Sequence, residues 1–184
     1  MAKKQRQDTP EAVISRRRQK LLLAEGYRSL FFRALLLFAA LWLGLTQVFL
    51  LAQNSGLDMF PAVKDGDLMI AFRLQGTYAK NDLVIFRVDG ERRVGRIVAR
   101  GGDVVTITED GELLVNGTTQ SGEILYPTYM REGQEELYPY RVPENAVYIL
   151  CDYRTQCTDS RDFGPVPMED LEGKVITILR RRGL

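Results

Sequence analysis

The chain contains no histidine. That absence removes serine–histidine–aspartate and cysteine–histidine nucleophiles and every histidine-based metal site. Proton transfer would fall to lysine, aspartate, glutamate, tyrosine or the N-terminal amine. A serine hydroxyl would be a weak nucleophile until one of these groups removed its proton. Beyond residue 53 the serines are Ser55, Ser121 and Ser160, and the lysines are Lys64, Lys80 and Lys174. Cys151 and Cys157 are too few to build a zinc site alone, and neither a metal nor a cofactor is expected.

These residues need a scaffold, and the charge pattern divides the chain. Residues 1–33 carry nine basic and three acidic side chains, and residues 53–184 carry 16 basic and 21 acidic ones. The acidic excess downstream argues against a nucleic-acid binder. Between the two lies ALLLFAALWLGLTQVFLLA, residues 34–52, without a charge. Nineteen helical residues at ~1.5 Å each span roughly 28 Å, enough to cross a hydrocarbon core. Basic residues precede this run and acids follow it. The expectation is a basic cytoplasmic arm over 1–33, a transmembrane helix over 34–52 in contact with lipid, and an outer domain over 53–184. A cleavable signal peptide is the alternative; its apolar core would be shorter and a small-x-small site would follow it.

From Asp58 onward the pattern alternates. Leu68-Ile70-Phe72, Val84-Phe86-Val88, Val104-Thr106-Thr108 and Leu113-Val115 each place alternate residues on one face. Asp65-Gly66, Asp89-Gly90, Gly101-Gly102, Asp110-Gly111 and Asn116-Gly117 punctuate them. Further strands are expected at 146–150 and 174–180. The fold class is mainly β: an antiparallel domain behind one N-terminal helix. Residues 118–143, rich in Gly, Pro, Glu and Tyr, read as an insertion loop.

Three stretches resemble the type I signal peptidases, membrane-bound Ser/Lys enzymes. Gly56-Leu57-Asp58-Met59-Phe60-Pro61 is similar to the family's Gly-x-Ser-Met-x-Pro. Val94-Gly95-Arg96-Ile97-Val98 with Gly101-Gly102-Asp103 is similar to its Val-Lys-Arg-Val-Ile segment and the Pro-Gly-Asp after it. Cys151-Asp152-Tyr153-Arg154 with Asp159-Ser160-Arg161 is similar to its Gly-Asp-Asn-Arg and Asp-Ser-Arg. Together they cover most of residues 54–184 in the family's order.

The departures fall on the chemistry. Asp58 stands where the resemblance puts the nucleophilic serine, and Gly95 where it puts the lysine base. Glycine has no base to offer, and a carboxylate would repel a developing oxyanion. Cys157 stands where the family has a serine that steadies the lysine. A pairing of Asp58 with Asp159 would need two carboxylates sharing a proton; the expected partner of Asp159 is instead Arg161, as relic support of the site. For Asp58 the expected partner is Arg96 or a backbone amide. Cys151 and Cys157 lie six apart, and a disulfide worth roughly 2 kcal/mol is expected in an oxidising compartment, two free thiols being the alternative.

What remains is a groove. The resemblance implies an extended edge of Gly56, Leu57, Asp58, Met59, Phe60 and Pro61 beside Val94 and Arg96, able to take a peptide as an added strand. Asp58 and Gly95 at these positions, with Arg180-Arg181-Arg182-Gly183 near the end of the chain, resemble the catalytically inactive signal-peptidase-like pilus assembly factors of Gram-positive bacteria. That resemblance implies a chaperone-like accessory to sortase-dependent pilus assembly, with pilin subunits and a sortase as partners. The alternatives are an active signal peptidase with an atypical site, and a regulator that sequesters signal peptides. Oligomeric state has no signature in the sequence.

Overall fold

The structure is a computed structural model and describes residues 10–120 and 125–180. It contains two units, Met1–Thr46 and Gln47–Leu184.

The first unit is carried by α1, a helix over Pro10–Val48. Proline suits a first helical position, where its missing N–H would have no partner. The stretch Gly26–Val48 is long and apolar enough to cross a membrane. Leu30, Phe31, Phe32, Leu36, Phe38 and Trp42 are all exposed along it, as lipid-facing side chains are. The helix thus includes part of the expected basic arm and stops at Val48, four residues before the expected end of the span at Ala52. The apolar run continues, but its last residues belong to a strand. In β1, Phe49–Gln53, Leu50 and Ala52 turn inward while Phe49, Leu51 and Gln53 turn outward. Hydropathy alone does not separate that alternation from a helical run when every residue is apolar.

The second unit is built from β1 and ten further strands: β2 (Leu68–Phe72), β3 (Leu83–Val88), β4 (Glu91–Arg100), β5 (Val104–Ile107), β6 (Leu113–Val115), β7 (Thr118–Thr119), β8 (Tyr140–Arg141), β9 (Ala146–Leu150), β10 (Val166–Pro167) and β11 (Leu171–Leu179). A short helix, α2, spans Ser160–Phe163. One sheet has seven strands in the order β1-β2-β11-β3-β4-β9-β10, and the other has four, β7-β6-β5-β8. Every pairing is antiparallel. Two tight turns fix the register. Asp89-Gly90 joins β3 to β4 and Asn116-Gly117 joins β6 to β7, with all four residues at positive φ, as a two-residue hairpin loop requires.

Alternation places three clusters of buried side chains. Val98, Val105, Leu113, Val142, Tyr148 and Leu150 pack the four-stranded sheet against β4 and β9. Met59, Val63, Met69, Ala71, Ile85 and the two cysteines form a second cluster. Val84, Phe86, Ile97, Val147, Ile149 and Val166 form a third. Residues 118–143 are more than a loop: they open with β7 and close with β8.

Candidate functional site: a cleft and the buried network behind it

β1 is a terminal strand of its sheet, hydrogen-bonded to β2 alone. β4 pairs with β3 along Glu91–Arg96, whereas its pairing with β9 runs only over Arg96–Arg100. Residues 91–95 therefore have a strand on one side and an open edge on the other. Both open edges line one cleft of about 480 Å³, with Leu51, Ala52, Gln53, Asn54 and Ser55 on one side and Glu91, Arg92, Arg93 and Val94 on the other. Asp58 lines it too.

The expected edge at 56–61 is not extended. Gly56 sits at φ +103°, and the chain then coils. Phe60 N–H donates to the Leu57 carbonyl at 2.9 Å and Val63 N–H to the Met59 carbonyl at 2.9 Å. The Phe60–Pro61 peptide is cis. Met59 is wholly buried in the core and Leu57 is exposed, so neither continues a groove wall, and Phe60 and Pro61 are half-buried outside the cleft lining. The open strand beside Asp58 is β1, which the apolar run had hidden.

The Asp58 side chain is exposed and makes no hydrogen bond or ion pair among the described residues. Its backbone is held: Tyr153 N–H donates to the Asp58 carbonyl at 2.9 Å. The expected pairing with Arg96 does not form. Arg96 instead donates to both carboxylate oxygens of Asp152, at 2.8 and 2.6 Å, and to the Asn81 carbonyl at 3.0 Å. Its hydrogen bonds to Asp152 hold the Arg96 guanidinium above its ordinary range, against the opposing effect of burial.

At Gly95 the place for a side chain is filled. A Cβ there would collide with Cγ2 of Ile149 and come within 3.2 Å of the Phe86 ring. Ile149 is β-branched and cannot swing that methyl aside freely. Among the described residues, no lysine lines the cleft. Lys174 pairs with Asp82 at 2.8 Å and Lys80 with Asp103 at 3.1 Å. Of the serines, Ser55 shares the cleft with Asp58. Ser160 is buried, and its Oγ accepts from Ile149 N–H at 2.9 Å.

Behind this cleft lies a buried polar network. Cys151 and Cys157 are joined as a disulfide. With Asp159 they form a cluster of metal-ligating types, but oxidised sulfurs offer no thiolate to an ion. The Asp159 carboxylate caps α2 through Arg161 N–H at 3.1 Å and accepts from the Arg161 guanidinium at 2.9 and 2.8 Å. Arg161 donates onward to the Tyr129 carbonyl at 2.9 Å and the Arg154 carbonyl at 2.6 Å. Asp159 and Arg161 are 1 % and 2 % exposed, so neither faces the cleft and no carboxylate pair forms with Asp58. Arg154 is equally buried. Its Nη1 donates to Thr128 Oγ1 at 2.9 Å, and burial pushes its pKa down to about 10, leaving it a cation at neutral pH.

Sequence reading missed who holds this network. Arg131, in the supposed insertion loop, donates to both oxygens of Asp162 at 2.8 Å and to the Cys157 carbonyl at 2.5 Å. Gln134 donates to the Arg161 carbonyl at 2.6 Å. Tyr138 and Tyr148 share a hydroxyl hydrogen bond of 2.8 Å, and burial pushes both phenols above their ordinary range. The one hint in the sequence was the density of Tyr, Arg and Gln in a segment otherwise typical of a solvated loop.

Known proteins resemble this chain in sequence. The family model described as signal peptidase, peptidase S26 matches residues 26–179. The chain belongs to the signal peptidase S26 family. It is 33% identical over 133 residues to a probable thylakoidal processing peptidase 2 of Arabidopsis thaliana, covering 65% of this chain and 35% of that protein. It is 29% identical over 134 residues to signal peptidase I of Bacillus caldolyticus, covering 65% of this chain and 73% of that protein. The chain thus spans about a third of the thylakoidal relative's length and nearly three quarters of the bacterial one's. A solved signal peptidase I from Enterococcus faecalis matches with a TM-score of 0.46 and 27% identity, over 55% of this chain and 97% of that one.

Proposed function

We propose that this protein is a non-catalytic member of its family that binds an extended peptide segment in the cleft between β1 and β4. The reading rests chiefly on Gly95. A base is missing there, and Ile149 and Phe86 fill the space a base would need. By resemblance Asp58 stands in the nucleophile's place, and among the described residues no lysine lines the cleft. Two open strand edges facing one space need only backbone groups to accept a third strand. By resemblance, the clients are pilin subunits delivered to a sortase in pilus assembly. The same resemblance, with the charge asymmetry about the apolar helix, supports a cell-membrane location with the N-terminus cytoplasmic and the β domain outside.

Incubating the full-length protein in detergent with a preprotein tests the first part. No cleaved product is expected. Cleavage lost in Asp58→Ala or Ser55→Ala would overturn the reading in favour of an active peptidase with an atypical site, which Ser55 in the cleft and the names of the relatives support. A photo-crosslinking residue at Ser55 in cells tests the second part. Capture of pilins or a sortase is expected, and capture of preproteins alone would point to sequestration of signal peptides instead.

A further inference from the structure

The charges lining the cleft are unequal in what they have left to give. Arg92 donates to Glu172, which Arg87 also engages at 2.7 Å, and Arg93 Nη2 donates to Glu91 at 2.8 Å. The basic side chains of the cleft are thus already paired within the protein. Asp58 is exposed to the same space with no side-chain partner among the described residues. Tyr153 fixes the Asp58 backbone from the disulfide-closed loop, so the carboxylate is presented from a braced turn. Arg93 Nε is the one buried side-chain N–H without an acceptor among the described residues, and Arg93 lines the cleft. A buried donor without an acceptor carries an energetic cost.

From this free carboxylate beside two open edges we infer that the occupant of the cleft is an extended segment carrying a lysine or arginine, whose cation pairs with Asp58. The inference rests on the cleft being a peptide site, as proposed above. It assigns Asp58 a role in choosing the client: substitution of the nucleophile exchanged an attacking group for a charge filter. A segment with a neutral residue at that position leaves the carboxylate with water alone, and one with an acid meets like charge.

Three labelled ten-residue peptides of alternating valine and threonine, with a central lysine, norleucine or glutamate, test it by fluorescence anisotropy. The protein is the full chain in detergent at low salt. The lysine peptide is expected to bind about fivefold tighter than the norleucine peptide, with the glutamate peptide weakest. In Asp58→Asn the three affinities should converge, and in Asp58→Lys the order should invert. Equal affinities in the unsubstituted protein, or an order unchanged in Asp58→Asn, would overturn the charge filter while leaving the cleft a peptide site. Failure of all three to bind would overturn the peptide site and the filter with it. Sedimentation of the protein alone separates a last case: a dimer that peptide dissociates would make a second copy the occupant and overturn the inference. Thermal unfolding of each variant checks that the exposed substitutions leave the fold intact.

Discussion

Asp58 and Asp159 are both aspartates in the region that resembles a signal peptidase site, yet they occupy opposite physical worlds. Asp58 is exposed, with no side-chain partner among the described residues. Asp159 is 1 % exposed and surrounded by donors from Arg161 and the backbone of α2 and Cys151. The contrast separates two things that an active site usually combines, reacting groups and the frame that holds them. In this protein the buried charges around Asp159 are satisfied, while Asp58 faces the cleft and the space beside Gly95 is filled.

The largest effect should come from breaking the frame. Asp159→Ala leaves the Arg161 guanidinium buried without its anion, and an uncompensated buried charge costs about 3–5 kcal/mol. Urea unfolding of the protein should show that loss as a lower midpoint. Attempting to rebuild the chemistry should cost less but still be adverse. Gly95→Lys forces a side chain against Ile149 and Phe86, and such overpacking costs about 1–3 kcal/mol. The double variant Asp58→Ser, Gly95→Lys should therefore cleave no preprotein and unfold earlier. Adding Ile149→Ala should recover part of the stability lost to Gly95→Lys; no recovery would show that the space at 95 is not the obstacle.

Opening the disulfide comes next. Cys151→Ser with Cys157→Ser releases a short loop, and unfolding should become easier by about 2 kcal/mol, the same shift appearing in the unsubstituted protein under reductant. A smaller, pH-dependent effect belongs to Asp162. Burial acts to raise its pKa, but the hydrogen bonds from Arg131 and from Asp159 N–H outweigh it and hold the carboxyl below the usual range. The carboxyl titrates lower in the folded than in the unfolded chain. Its stabilisation is therefore complete above the ordinary aspartate pKa of ~3.9 and is lost as pH falls through the lower folded value. Arg131→Met should flatten the acid limb of a melting-temperature profile. The smallest effect is reserved for the other aspartate. Asp58→Asn should change stability by no more than about 0.5 kcal/mol, and a larger loss would mean that Asp58 is part of the frame after all.

Much of this was readable from residue types. Alternating residues and Asp-Gly or Asn-Gly pairs marked β2, β3, β5 and β6, because strand period and positive-φ turns are local properties. The Asp159–Arg161 pair was legible because both residues sit in one short motif. β1 was not, since an apolar run that leaves a helix and enters a strand changes period without changing composition. The partners of the network were not legible either. Thr128, Tyr129, Arg131 and Gln134 reach it through contacts 26 to 32 residues away in sequence, and their spacing carries no local signal. Whether Asp58 was buried also depended on tertiary packing alone.

The margins of the two sheets carry one more consequence. Three of the four terminal strands, β7, β8 and β10, are two residues long, and β10 ends in Pro167. Stubs and proline are the means by which proteins refuse an uninvited neighbour. The fourth margin, β1, is five residues long and opens into the cleft. Among the described residues, the sheets thus end in one strand edge long enough to template indiscriminate pairing, and that edge lies in the cleft.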